Sequence, residues 1–295
     1  MLGDCRKPDD RWDFMLDPKK GIGYIRVVAF GRETGSELRR ALEDLKRQNL
    51  RGLVLDLRFN PGGLLSSAIE VSNLFISHGR IVSTAGRNSP ERVWDARKDG
   101  AFEGFPMAIL VNHFSASASE IVAACLQDNK RAVVIGERTW GKGSVQNVIP
   151  LDDRLSASEA GRAGGGSGAH SALKLTIAGY RRPNGKNIDR TPGAKEGDTW
   201  GVLPDPGLEV SLRPDEQKAL MEDRSRRDLV PPKKPAAGAP KSEPARSDHP
   251  KSEPPKQAGQ PGPTQPSGEP PKAPPVDRQL QKAIQYLTTE LARAK

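Results

Sequence analysis

Cysteine, histidine and aromatic side chains are all scarce in this chain, and each shortage removes a class of function. Of 295 residues only Cys5 and Cys125 are cysteine; they lie far apart in unlike contexts, which leaves neither a disulfide framework nor a cysteine metal cluster. The four histidines (His78, His113, His170, His249) are scattered and lack the close spacing of a zinc site. Aromatics make up 5% of the chain, and nowhere do they alternate with basic residues as a base-stacking platform would need. The net charge of +9 is therefore read as dispersed, with no nucleic-acid partner. No apolar run is long enough to span a membrane and no signal-like stretch follows Met1. Taken literally that means cytoplasmic, but the opening Met-Leu-Gly-Asp-Cys-Arg reads like the middle of something, and the compartment stays unassigned.

Large apolar side chains are also short, at 35% hydrophobic content, and the shortage is concentrated near the end. Fifteen of the 26 prolines fall between Pro231 and Pro275, among Lys, Ser, Glu, Gln and Gly. Such a segment buries too little apolar surface to offset its chain entropy. The expected organisation is an N-terminal segment (1–20), a folded catalytic region (21–214), a linker (215–275) that is Pro-rich and disordered from about Pro231, and a short helix (276–295). In that last stretch Leu280, Ile284, Leu287 and Leu291 recur at helical spacing and would dock on something or stand exposed.

Within the folded region strand, turn and helix recur. Ile22–Phe30 is β-branched and aromatic-rich; Thr34 to Glu37 has capping-box spacing, with Leu38, Ala41, Leu42 and Leu45 following on one helical face. Gly52–Arg58 is a near-continuous apolar run, as in a strand covered on both faces; it ends in the turn Asn60-Pro-Gly-Gly63, and a helix follows over Leu64–Ser77. Met107–Asn112 leads through a Ser-rich turn into a helix to about Asn129, and Ala132–Gly136 into a Gly-rich loop. The class is α/β. Ser144–Pro150 and Ala172–Tyr180 are further strands, separated by a Gly/Ala/Ser-rich loop, Ser156–Ser171.

Three loops follow the three buried strands, where active sites of open α/β sheets assemble. Asn60-Pro-Gly-Gly63 offers unobstructed backbone N–H groups suited to a developing oxyanion. Ser115-Ala-Ser-Ala-Ser-Glu120 offers a hydroxyl at a helix start, and Thr139-Trp-Gly-Lys-Gly-Ser144 an amine. A serine needs a base to attack an amide. His113 lies near, yet a triad also requires an acid behind the imidazole. Lys142 can serve instead where burial disfavours its charged form. Taken singly these are a small-residue helix start, a solvated lysine and a good turn. A rival reading, a phosphate-binding loop at Gly136-Glu-Arg-Thr-Trp-Gly-Lys142, fails because Val145–Pro150 reads as a strand where a helix is required.

Taken together, the motifs resemble the C-terminal processing, or tail-specific, peptidases. The likeness rests on Gly23-Tyr-Ile-Arg26, Leu55–Leu64, Ser115–Ile121, Leu126-Gln-Asp128, Gly136-Glu137, Thr139–Gln146 and Pro204-Asp205, in that order. The resemblance implies a crotonase-like ββα peptidase core and a Ser/Lys dyad, with Ser117 as nucleophile, Lys142 as base and Gln146 orienting the lysine. It also implies an oxyanion hole from the amides of Gly63 and Ala118, protein or peptide substrates cut at or near their C-termini, and no cofactor. Such peptidases usually carry a PDZ domain before the position of Gly23, and here only about 22 residues precede it, too few for one. Two expectations follow: a fragment of an exported protein, or a form without PDZ. The non-enzyme alternative is a catalytically silent peptide-binding scaffold of the same fold.

Overall fold

The computed structural model describes the chain except residues 4, 7–11, 87–88, 99–100, 151–170, 196, 229–275 and 294–295. The Pro-rich linker from residue 231 and most of the Gly-rich loop lie outside the described residues.

Two short strands, β1 (Cys5–Arg6) and β2 (Trp12–Asp13), pair with each other, and β3 (Met15–Asp17) runs antiparallel to β4 (Ile22–Arg26) at the edge of the main sheet. The sheet continues in parallel through β5 (Gly52–Asp56), β8 (Met107–Val111) and β9 (Val133–Gly136), in the order β3-β4-β5-β8-β9. Helices α1 (Thr34–Arg47), α2 (Leu65–Asn73) and α3 (Ala118–Asp128) follow β4, β5 and β8. A second, antiparallel sheet orders its strands β10-β11-β6-β7, from β6 (Arg80–Gly86), β7 (Ser89–Asp95), β10 (Ser144–Pro150) and β11 (Ala172–Arg181). Helices α4 (Pro214–Asp228) and α5 (Arg278–Arg293) complete the chain. The α/β class read from the sequence is the class observed.

Side chains alternate across a strand, and the main sheet uses both of its faces. Ile25, Leu53, Leu55, Ile109, Val111 and Val134 enter one core with Leu38, Leu42 and Leu45 of α1 and Ile121, Val122 and Leu126 of α3. Their neighbours Ile22, Tyr24, Val54, Ala108, Leu110 and Ile135 enter a second core. That second face is closed by α5, through buried Ala283 and Leu287 with Leu280, Ile284 and Leu291 beside them.

One local expectation changes. Glu33, not a side-chain-capping residue, sits at the N-terminus of α1. Thr34 is helical, and its Oγ1 accepts from the Gly31 N–H (2.9 Å) and donates to the Ala29 carbonyl. The hydroxyl closes the preceding loop, so the capping box expected from Thr34 and Glu37 does not form.

Candidate active site

The loop after β5 is shaped by Asn60. Its Nδ2 donates to the Val27 carbonyl (2.7 Å) and its Oδ1 accepts the Gly62 N–H (2.8 Å), the short side-chain turn for which asparagine is suited. The loop after β8 is laced to it. Ser115 Oγ donates to the Leu57 carbonyl (2.8 Å), Ser119 Oγ to the Asn60 carbonyl (3.0 Å), and the Ala116 N–H also reaches that carbonyl (3.0 Å). Ser115 and Ser119 are wholly buried and occupied in this way, whereas Ser117 is half-buried between them.

Ser117 stands at the N-terminus of α3 with φ 56° and ψ −113°. A non-glycine residue there stores strain of about 1–3 kcal/mol and persists only where its surroundings enforce it. Strand, sharp turn and helix in succession are the geometry that lifts a nucleophile out of the backbone. The enforcing contact is Gly62 (φ 100°): a Cβ on it would lie 2.7 Å from the Ala116 carbonyl oxygen, 2.8 Å from Ser117 Cβ and 2.9 Å from the Ala118 nitrogen. Among the described residues, neither the Gly63 nor the Ala118 N–H has a hydrogen-bond acceptor.

Glu120 carries the third loop to the other two. Its Oε1 accepts from Thr139 Oγ1 (2.6 Å) and the Gly141 N–H (2.7 Å), and its Oε2 from the N–H groups of Ser117 (2.8 Å) and Lys142 (2.8 Å). Burial raises the Glu120 carboxyl above its usual range, against the opposing pull of those donors. The glutamate was part of the sequence motif but had no role there; its spacing of three residues after Ser117 was the available signal.

The backbone of Lys142 is thus pinned near Ser117, while its side chain is exposed. Burial of the lysine, on which the sequence argument leaned, is not observed. Gln146 is also exposed, on β10 next to a bulge at Val145. Among the described residues no hydrogen bond joins the Lys142 amine to Ser117 or to Gln146. An acid does stand behind His113, since Nδ1 lies 3.0 Å from Glu137 Oε2, but no hydrogen bond joins His113 to Ser117 among the described residues.

Beneath the first loop lies a buried charge network. Asp56 accepts from Tyr24 (2.8 Å), Arg58 and Arg224, and Arg58 reaches on to Asp277 (2.8 Å) and Gln279 (3.0 Å). Burial works against ionisation of Asp56, but Arg224 and Arg58 outweigh it and hold the carboxyl below its usual range. Asp56 and Arg58, also unassigned from sequence, brace the strand that delivers Asn60 and the paired glycines.

Among the described residues no group of three or more His, Cys, Asp or Glu could hold a metal ion, and no helix is long and apolar enough to cross a membrane. Comparison with known proteins points to one family. The model of peptidase family S41 matches residues 21–206. A carboxy-terminal-processing protease of Bartonella bacilliformis is 43% identical over 172 residues, 57% of this chain and 36% of that protein. A carboxyl-terminal-processing protease of a Synechocystis species is 35% identical over 195 residues, 66% of this chain and 40% of the relative. The solved photosystem II D1 C-terminal processing protease superposes with a TM-score of 0.53 at 31% identity, covering 64% of this chain and 42% of that one. The chain therefore spans less than half the length of these relatives.

Proposed function

The chain belongs to peptidase family S41, the C-terminal processing peptidases, and from that premise we propose that it cleaves polypeptides near their C-termini through a Ser117/Lys142 dyad. The supporting observation is the convergence of three loops: Gly62 packs against Ser117, and Glu120 binds the backbones of Ser117 and Lys142 together.

In this reading Lys142, as the neutral amine, takes the Ser117 proton while Oγ attacks the scissile carbonyl. The oxyanion that forms is received by the N–H groups of Gly63 and Ala118, and Gln146 orients the amine. The ammonium returns its proton to the departing amine, and water then releases the acyl group from Ser117. Because Lys142 is exposed in the free chain, the dehydration that favours its neutral form falls to the bound polypeptide, which covers the amine as it enters.

The test is degradation of an unfolded protein by wild type, Ser117→Ala, Lys142→Ala and His113→Ala, with products read by mass spectrometry. Loss of cleavage in the first two variants, by at least about a thousandfold, and its survival in His113→Ala is the expected result. Survival in Lys142→Ala with loss in His113→Ala would transfer the base role to the His113–Glu137 pair. A folded wild type that neither cuts nor takes up a covalent serine probe would favour the silent scaffold.

A further inference from the structure

Beside the Lys142 loop lies a pocket of about 510 Å³ whose walls include Trp140, Arg138, Arg190 and Trp200. Gly141 packs against two of those walls: a Cβ there would meet Arg190 Cβ at 2.7 Å and the Trp200 ring at 2.9 Å, and the Arg190 N–H donates to the Gly141 carbonyl (2.9 Å). The residue before Lys142 is thus in contact with two of the pocket's walls, and Trp140 itself is tied to the Ser115 carbonyl by its N–H (3.0 Å).

Its two guanidinium groups differ in employment. Arg138 is held in place by the carbonyls of Trp200 and Asp198 and stacks 3.6 Å from the Trp200 ring centre. Arg190 stacks on the same ring at 4.6 Å. Its side chain is exposed and, among the described residues, has neither a hydrogen-bond acceptor nor an ion-pair partner. The acid on this wall, Glu137, is engaged by His113 and by the Leu212 N–H. Two like charges against one indole, one of them with all its donors open, create a demand for an anion, and the planar fork of arginine matches a carboxylate with two parallel hydrogen bonds.

We propose that this pocket captures the C-terminal carboxylate of a protein substrate, with Arg190 as the residue that binds it and Trp140 and Trp200 flanking the last side chain. The inference rests on the peptidase reading and extends it: the catalytic region itself would measure the distance from chain end to scissile bond. A peptide anchored there passes Lys142 after few residues, since extended chain advances at most about 3.3–3.6 Å per residue.

The experiment uses the full chain and two peptides of one sequence, ending in a free carboxylate or in an amide. Wild type is expected to prefer the free acid by about tenfold in kcat/KM, carried by KM. Arg190→Gln should bring the acid-to-amide ratio to about one, and Arg190→Lys should restore part of it. Binding of the same two peptides to Ser117→Ala, read by fluorescence anisotropy, reports the preference even if nothing is cut, so a failure of the peptidase reading is told apart from a failure of the pocket. Equal affinity for acid and amide in Ser117→Ala, or a preference that persists in Arg190→Gln, overturns the proposal.

Discussion

Gly62 sets how closely the first two loops can approach. A methyl group there would stand 2.7–2.9 Å from three atoms of residues 116–118 at a φ of 100°, so the Ser117 turn must move or the backbone must strain. Gly62→Ala is expected to cost about 1–3 kcal/mol in stability and, under the proposed role of Ser117, to lower kcat/KM by about a hundredfold, because ångström-scale misplacement of a nucleophile has that effect. Thermal melts and peptide kinetics on one preparation check both. At this scale the sequence marked the three loops and their order, because glycine pairs and small-residue turns announce themselves. Only the family resemblance singled out Ser117; local chemistry left the three serines alike. What separates Ser115 and Ser119 from Ser117 is contact with Leu57 and Asn60, some sixty positions away, and no local pattern encodes that. Glu120 was hidden for the same reason, since three of its partners, Thr139, Gly141 and Lys142, arrive from the loop after β9.

Helix α5 shows what periodicity can and cannot tell. The spacing of Leu280, Ile284, Leu287 and Leu291 gave the helix, but its seat on the second face of the sheet depended on a vacancy that only the assembled strands define. Leu287 is fully buried there, and Leu287→Ala should cost about 2–5 kcal/mol, seen as a lower melting temperature and as earlier proteolysis in α5 than elsewhere. Strands β1 to β3, the β6–β7 hairpin and helix α4 were not read as elements, and α4 (Pro214–Asp228) falls almost wholly in the stretch expected as linker (215–275). The β6–β7 hairpin mixes charged and apolar residues with little contrast. Helix α4 is highly charged and announces itself only by Pro214-Asp-Glu216 at its start, a usable N-terminal signature.

Across the whole molecule, the network around Asp56 joins β4, β5, α4 and the start of α5. A carboxyl whose folded-state value lies below its unfolded one, about 3.9, lends stability that is complete above that value and is lost as pH falls through the folded one. Burial raises the carboxyl of Glu120, which works in the opposite sense. Melting temperature should therefore fall below about pH 4, and more steeply in wild type than in Asp56→Asn. That variant should itself lose about 3–5 kcal/mol at neutral pH by leaving Arg58 and Arg224 undercompensated. The late position of α5 has a temporal consequence. During synthesis β9 leaves the ribosome about 140 residues before α5, a delay of roughly 7–30 s at bacterial and eukaryotic elongation rates. Through that interval Val54, Leu110 and Ile135 have no helix over them. The nascent protein is at its stickiest when its peptidase loops are already made, and a chaperone that shields the sheet has only those seconds in which to act.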